Sequence, residues 1–300
     1  MTQKFRLVTR SDFDGLVCAA LMKELDIVDE IKFVHPKDMQ DGKVDINAND
    51  ITANLPFVPG AHLVFDHHKS ESERVKAAGS VHINDPEAPS AARVIFEHYG
   101  GRSKFSRISD DLMEAVDKAD SAQFNEKDIL DPSGWELLSF IMDSRTGLGR
   151  FREFRISNYE LMMALSTHLL DKNCDEIMSL PDVVERTDLY KEHQEKYKDQ
   201  VKRCATVHQN LVVLDNRDEE TIFAGNRFMI YGLYPHCNIS IMAMWGKQKQ
   251  NVAFAIGKSI INRTSRTDVG RLCLEFGGGG HEAAGTCQVE TDKADDVLKQ

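Results

Sequence analysis

Two short segments near the N-terminus carry side chains that can bind a divalent metal ion. The first contains Asp12 and Asp14, and the second is Asp66-His67-His68. Each segment follows an apolar, β-branched run, which predicts a strand that stops at the polar side chains. Carboxylates mixed with imidazoles suit an ion such as manganese, and open α/β sheets bind their ligands at the carboxyl ends of strands. The two segments therefore predict metal-assisted hydrolysis, with a phosphate ester as the substrate class.

Each segment also has a plainer interpretation. On an extended segment the carboxylates of Asp12 and Asp14 point the same way and can meet one cation, and Gly15 permits a tight turn into a helix. The alternative is a surface turn in which an aspartate caps that helix. For Asp66-His67-His68 the alternative is a solvated polar loop, although histidine rarely follows a buried strand for packing reasons alone.

The elements that must position these residues alternate between strand and helix patterns, which predicts a parallel, wound sheet. Residues 183–205 are highly charged and predict a solvated linker helix. The sequence after this helix contains mainly strand patterns. We therefore expect domains at 1–184 and 206–300, joined by a linker helix at 185–205. The chain stops within a helical pattern, so we expect a trimmed C-terminus. The predicted strands are 5–9, 31–34, 50–51, 63–65, 209–214, 228–233, 239–245 and 251–256, and the predicted helices are 15–25, 90–99, 106–120, 134–142, 156–170, 269–275 and 294–300.

Composition argues against a duplex-binding protein, a membrane protein and a disulfide-rich protein. The 300 residues carry a net charge of −11, which argues against avid duplex binding and agrees with a short anionic substrate. No apolar run is long enough for a membrane span, and the N-terminus has no signal-like region, so a cytoplasmic protein is expected. The 6 cysteines are scattered, which predicts reduced thiols rather than a zinc ribbon or a disulfide framework.

At this point the chain resembles the DHH phosphoesterases, a family of nucleases, short-oligonucleotide phosphodiesterases and pyrophosphatases. The resemblance rests on Asp12-Phe13-Asp14-Gly15, on Asp66-His67-His68 and on the distant run Gly277-Gly278-Gly279-Gly280-His281. The last run resembles the companion DHHA1 domain. The resemblance implies an α/β N-terminal DHH domain with a mainly parallel sheet, a linker helix and a smaller mixed α/β DHHA1 domain, with the active site in the cleft between them.

The resemblance also implies roles for individual residues. Asp45 competes with Asp50 as a ligand, and Asp117 competes with Asp120. His68 would face the phosphate or the leaving group, and Asp66 and Arg10 are the other expected catalytic residues. One or two Mn²⁺ ions, or Mg²⁺ instead, would be held by Asp12, Asp14, Asp50, His67 and Asp120.

Arg10 departs from the family pattern, because many relatives have a histidine ligand at this position. Arginine stays protonated and cannot bind a metal, so one metal position would be weaker, would recruit His35 or would be absent. Arg10 could instead grip a substrate phosphate with its planar fork. The far end of the substrate is expected to contact Gly278, Gly279, Gly280, His281, Arg263 and Arg266.

The resemblance points to a phosphodiesterase that cleaves short linear oligonucleotides to nucleoside 5′-monophosphates, with dinucleotides such as pGpG as the expected substrates. Two other functions stay open. The first is an exopolyphosphatase-like hydrolase, and the second is a nucleotide sensor without catalysis, which Arg10 makes conceivable. The expected partner is a short nucleotide rather than long duplex nucleic acid or a membrane, and a homodimer is left open.

Overall fold

The computed structural model describes residues 3–68, 81–151 and 154–300. The chain divides into two compact units, and each is built from two separate stretches of sequence. The first unit comprises Met1–Gln123 and Ser133–Leu189, and the second comprises Phe124–Pro132 and Tyr190–Gln300. The first unit contains both N-terminal metal-ligand segments.

The first unit is organised around a five-stranded sheet in which every neighbouring pair is parallel. The strand order is β2-β1-β3-β4-β5. In the register, Thr9 lies beside Ala53 and Ala53 beside Phe65, so the carboxyl ends of the three central strands share one edge. The strands are β1 (Phe5–Arg10), β2 (Val28–Val34), β3 (Asp50–Ala53), β4 (Leu63–Asp66) and β5 (His82–Asn84).

Helix α1 (Phe13–Glu24) is the central helix of this unit and is buried continuously from Phe13 to Met22. A helix that is buried all round is typical of a core position. A Cβ atom on Gly15 would lie 1.9 Å from the carbonyl oxygen of Arg10. The glycine is therefore required because the start of α1 lies against the end of β1, which is a different reason from the tight turn predicted above.

The remaining helices of the unit surround this core. Helix α1 packs against α3, α4 and α7. Within the described ranges, no helix combines the length and apolar character needed to span a bilayer. The helices are α2 (Pro36–Gln40), α3 (Ala91–His98), α4 (Asp110–Asp120), α6 (Gly134–Met142), α7 (Asn158–His168) and α8 (Cys174–Met178), with short 3₁₀ turns at Gly101–Ser103, Ser144–Thr146 and Leu148–Arg150.

The second unit contains a mixed six-stranded sheet with the order β10-β11-β9-β8-β7-β6. Only β7 and β8 are parallel neighbours among these described strands. The core lies between the sheet and α11, around Phe254, Val269 and Cys273. The elements are α5 (Glu126–Leu130), β6 (Ala205–His208), β7 (Leu211–Asp215), α10 (Met229–Leu233), β8 (Ile239–Trp245), β9 (Asn251–Lys258), α11 (Val269–Glu275), β10 (Gly279–His281), β11 (Ala284–Glu290) and α12 (Ala294–Lys299), with 3₁₀ turns at Lys247–Lys249 and Thr291–Lys293.

Helix α9 (Pro181–Cys204) is the long charged helix expected from the sequence, but it is not solvated on every side. Its residues Tyr190, His193 and Tyr197 are buried at helical spacing. The segment that contains α5 packs here, since the Gln194 side-chain amide donates to the Leu130 carbonyl at 2.6 Å. Polar and aromatic side chains therefore form a buried face that apolar periodicity alone does not reveal.

Two local predictions differ from the structure. Residues 228–233 were expected to be a strand, but residues 229–233 form helix α10. A short apolar run fits a buried strand and a buried helical turn equally well, which explains the error. The end of the predicted linker helix is also different, because residues 205–208 pair with β7 as an antiparallel strand.

Candidate metal and phosphoester site

Three acidic and imidazole side chains converge near the carboxyl edge of the parallel sheet. They are Asp14 in the first turn of α1, His67 directly after β4, and Asp120 at the end of α4. One potential ligand atom from each lies within 4.8 Å of the other two. Asp14 is buried, whereas the side chains of His67 and Asp120 are 12% and 22% exposed. The group is thus anchored in the core and open on one side.

Asp14 is held in place by the N-terminus of α3. The amides of Ala91 and Ala92 donate to its two carboxylate oxygens at 3.0 and 2.8 Å. The first amides of a helix have no partner within that helix, and the positive end of the helix dipole favours a negative charge. Ser90 caps the same helix by accepting from Arg93 N–H. Asp14 is therefore oriented by backbone groups and keeps lone pairs for a cation.

His67 is oriented so that its Nε2 atom belongs to the group. Its Nδ1 atom lies 3.2 Å from the carbonyl oxygen of Ala88, so Nδ1–H can donate there and Nε2 is the ring nitrogen left for a cation. Nε2 is buried and lies 2.9 Å from Oδ2 of Asp120, yet the two atoms lack the alignment of a hydrogen bond. A buried ring nitrogen without a hydrogen-bond partner is available to a cation.

The close packing of these groups shifts their proton affinities. Burial and the Asp120 carboxylate raise the pKa of Asp14 to about 7. Burial lowers the pKa of His67, but the carboxylates of Asp120, Asp14 and Asp66 outweigh it and raise that pKa to about 9. For Asp120 the burial effect is outweighed by His67, so its pKa is lowered. Without a cation, the group therefore retains protons at neutral pH.

These residues fit a divalent metal ion. Two carboxylates and a neutral imidazole suit manganese and related ions, and a second partner fixes the orientation of His67 and of Asp14. A cation would also replace the protons that the group otherwise retains. The fit rests on the convergence of the ligand atoms and on the misaligned His67–Asp120 contact.

Asp66 and His68 form a separate pair beside this group. Nδ1 of His68 lies 2.7 Å from Oδ1 of Asp66, and the Asp66 side chain is fully buried. Burial lowers the pKa of His68, but the Asp66 carboxylate outweighs it and raises that pKa. The pair therefore keeps His68 in its protonated form at higher pH than an isolated histidine.

Asp12 is not one of the three converging residues. Helix α1 begins at Phe13, so Asp12 is the N-cap and its Oδ1 atom accepts from Gly15 N–H at 3.0 Å. Its Oδ2 atom lies 2.7 Å from Nε of Arg10, and Nδ2 of Asn54 donates to Oδ1 at 3.2 Å. Because Asp14 already lies within α1, the two residues do not form the single extended segment that was predicted.

Asp50 lies away from the group, which corrects its prediction as a metal ligand. It pairs with Arg6 near the amino end of β1, so it occupies the opposite edge of the sheet. The Arg6 guanidinium binds both Asp50 oxygens, at 2.7 and 2.9 Å. Asp45 lies at the same edge, where its carbonyl accepts from Arg6. The predicted strand covered only 50–51, whereas the observed strand begins at Asp50 and continues to Ala53.

Asp117 and Asp120 are separated clearly by their partners. Asp117 accepts from Arg93 Nε and Nη2 at 2.9 and 2.6 Å and from Ser90 Oγ at 2.7 Å. Asp120 faces His67 instead. Of the two alternatives left open by the sequence, the geometry favours Asp120 as a ligand.

The glycine run of the second unit is partly a helix cap. Gly277 has φ +73°, and the amides of Gly277 and Gly278 donate to the carbonyls of Leu274 and Cys273. This is the Schellman pattern that ends α11, so these two amides are engaged. A Cβ atom on Gly278 or Gly280 would lie within 2.3 Å of the β11 backbone, whereas Gly279 faces open space. Of the other predicted contacts in this unit, His281, Arg263 and Arg266 are exposed.

The chain aligns over nearly its whole length with a solved structure, the pGpG-specific phosphodiesterase PggH from Vibrio cholerae. The two are 59% identical, with a TM-score of 0.88 over 99% of this chain and 97% of that chain. This chain belongs to the PggH family. No family model and no curated protein sequence matches the chain. CDC45 from Entamoeba histolytica, at 9% identity and a TM-score of 0.52 over 99% of this chain and 94% of that chain, shares the fold alone.

Membership of the PggH family confirms the predicted type of phosphoesterase and the predicted two-sheet α/β fold.

Two residues near the site were missed or left without a role by the sequence analysis. Asn54 directly follows β3 and is buried, with φ +54° and with Oδ1 lacking a hydrogen-bond partner among the described residues. Arg145 lies in the turn after α6, near Asp12. Correct bounds for β3 would have put Asn54 at the ligand-binding edge.

Proposed function

We propose that this protein hydrolyses the linear dinucleotide pGpG to two molecules of GMP. The full-length, 59% identical match to a pGpG-specific phosphodiesterase carries the proposal. In the reaction, a water oxygen forms a bond to the internal phosphorus, the bond to the 3′ oxygen breaks, and that oxygen gains a proton. The converging Asp14, His67 and Asp120 supply a metal centre suited to this chemistry.

Asp14, His67 and Asp120 would hold one divalent ion, which we propose to be Mn²⁺, with Mg²⁺ as the alternative. When bound, such an ion lowers the pKa of water and offsets phosphate charge. We propose one ion rather than two because Asp12 already contacts Arg10, Asn54 and Gly15. A second ion would have to displace the Arg10 guanidinium.

His68 is the proposed proton donor to the leaving 3′ oxygen. Its contact with Asp66 fixes the ring and favours the protonated form, so a proton is held at Nε2. Asp66 would act through His68 and is therefore a positioning residue. Gly279, Gly280, His281, Arg263 and Arg266 stay candidate substrate contacts of the second unit, and a homodimer stays a prediction.

The test is product analysis by ion-pair chromatography. Purified protein with Mn²⁺ is offered pGpG, other dinucleotides, a longer RNA and polyphosphate in parallel. Release of GMP from pGpG by the wild type, and its loss in His67→Ala, is the expected result. Hydrolysis of polyphosphate alone, or nucleotide binding without turnover under any divalent ion, would contradict the proposal.

A further inference from the structure

A small pocket adjoins Asp12 in the first unit. It has a volume of about 110 Å³ and lies between the end of β1 and the turn after α6. Arg10 and Ser11 line one side, and Ser144 and Arg145 line the other. Pockets for drug-sized molecules begin at roughly 300 Å³, so this one suits a small group rather than a whole nucleoside. The Asp12 and Asp143 carboxylates also line it, and each contacts the Nε atom of an arginine. The remaining donors of these arginines and the serine hydroxyls are the types that bind an oxyanion.

Arg145 is presented to this pocket by a structured turn. The Asp143 side chain accepts from the Arg145 backbone amide at 2.9 Å and from Arg145 Nε at 2.7 Å. The Thr146 hydroxyl, which is buried, donates to the Phe140 carbonyl at 2.6 Å. The turn is therefore anchored to α6, and the guanidinium is oriented before any ligand arrives.

Both arginines retain donors that the protein does not use. The close carboxylate contact of Arg10 is made by Nε, at 2.7 Å from Asp12. Arg145 likewise contacts Asp143 through Nε. Among the described residues, the Nη groups of Arg10 and Arg145 have no hydrogen-bond acceptor. A guanidinium has two Nη groups in a planar fork, a geometry that matches two oxygens of a phosphate.

The pocket adjoins the metal-ligand group through the start of α1. Asp12 lines the pocket and is the N-cap of this helix. Asp14 lies in the first turn of the same helix and is one of the three converging residues. A phosphoryl group bound beside the metal-ligand group would therefore lie next to Arg10 and the pocket.

We propose that this pocket binds the internal phosphoryl group of the substrate, with Arg10 and Arg145 donating to its non-bridging oxygens through their Nη groups. This inference rests on the proposed function and adds Arg145 as a catalytic residue. The two guanidiniums would stabilise the charge on the phosphoryl oxygens, which is the role a second metal ion has in two-metal sites.

The test compares two ligands that differ only at the internal linkage, in its charge and in one non-bridging oxygen. One is pGpG, and the other is the analogue in which a methylphosphonate replaces the internal phosphodiester. Both carry the same bases and the same terminal phosphate, so contacts to those parts cancel in the ratio of affinities. Calorimetry on the metal-free protein measures that ratio without turnover. The variants are Arg145→Gln and Arg10→Gln, with Arg145→Lys to keep the charge without the fork.

Arg155→Gln is the matched control. Arg155 is also an exposed arginine paired with an aspartate, since Nε and Nη2 contact Asp182 at 3.0 and 2.8 Å. It does not line the pocket. We expect the preference for the charged ligand to fall about tenfold or more in Arg145→Gln and Arg10→Gln, the effect of losing a charge-assisted hydrogen bond. Arg145→Lys should fall between the wild type and Arg145→Gln, and Arg155→Gln should match the wild type.

The failure of this inference differs from the failure of the proposed function. Wild-type protein that hydrolyses pGpG, together with an unchanged ligand preference in folded Arg145→Gln, would overturn the inference alone. Wild-type protein that neither binds nor hydrolyses pGpG would overturn the proposed function. Thermal unfolding of each variant establishes that it is folded before its affinities are compared.

Discussion

The two aspartates Asp117 and Asp120 offer a direct test of the metal-ligand group, because they lie one turn apart on the same helix and have different partners. We expect Asp120→Asn to weaken Mn²⁺ binding by more than about 100-fold, since loss of an outer partner alone costs up to that factor. Asp117→Asn should weaken it by less than about 10-fold, because Asp117 reaches Asp14 only through Ser90 and the N-terminus of α3.

One compensating effect has to be removed from this comparison. Asp120 helps to raise the pKa of His67 to about 9, so at pH 7.5 the wild type must release a proton to bind the ion. That release weakens wild-type binding by about 30-fold, and Asp120→Asn would relieve part of it. Calorimetric titration with Mn²⁺ should therefore be done at pH 7.5 and again at pH 8.5, where the loss of affinity in Asp120→Asn should be larger.

The result that would refute this assignment is a reversed order of the two variants. If Asp117→Asn lost more affinity than Asp120→Asn at both pH values, the convergence of Asp14, His67 and Asp120 would not be the metal site. The free energy of unfolding in urea provides a control for damage to the fold. We expect Asp117→Asn to cost about 1–3 kcal/mol there, because Arg93 loses its charged partner.

Three further outcomes follow from the same contacts. The metal-free protein should lose stability as pH rises from about 4 to 9, because the folded-state pKa values of Asp14 (about 7) and His67 (about 9) lie above their ordinary values. The stability that these two groups add is therefore present at low pH and is lost as the pH rises through their folded-state pKa values. His67 alone should account for roughly 3 kcal/mol of the free energy of unfolding measured in urea, and His67→Asn should reduce this pH dependence. Asp50→Asn should cost about 1–3 kcal/mol of stability in urea while leaving Mn²⁺ affinity unchanged, because its carboxylate is bound to Arg6 at the far edge of the sheet; a large loss of metal affinity would contradict that location. Gly15→Ala should destabilise the protein by about 1–3 kcal/mol and weaken metal binding, since the new methyl group meets the Arg10 carbonyl and must displace the start of α1. An unchanged free energy of unfolding in urea, together with an unchanged calorimetric metal affinity, would disprove the close approach.

The parts of the fold with strong local patterns were predictable from the sequence. The helix at 134–142 and the helix at 269–275 were predicted with their observed bounds from the local sequence pattern. The parallel order of strands around Asp12-Phe13-Asp14-Gly15 and Asp66-His67-His68 also follows from the alternation of elements. The bounds of these helices depend mainly on neighbouring residues, and the parallel order follows from a general rule for alternating elements.

The details of the site were less predictable, because they depend on contacts between distant residues. Whether Asp50 or Asn54 lies at the ligand-binding edge depends on where β3 starts, which is set by pairing with β1. The separation of Asp117 from Asp120 depends on Arg93, and the engagement of Asp12 depends on Arg10. The glycine run was expected to contact the far end of the substrate, although two of its amides instead end the preceding helix.

The discontinuous second unit has a consequence for how this chain folds during synthesis and how it can be divided. Phe124 and Ile129 leave the ribosome early, but their packing partners, such as Phe228 and Asn226, emerge about a hundred residues later. A fragment cut at the end of the first unit would carry an apolar segment without those partners, and chaperones or proteases would recognise it. Deleting residues 124–132 from such a fragment, and joining the flanking ends with a short polar linker, should give a fragment of the first unit that aggregates less than the simple truncation does.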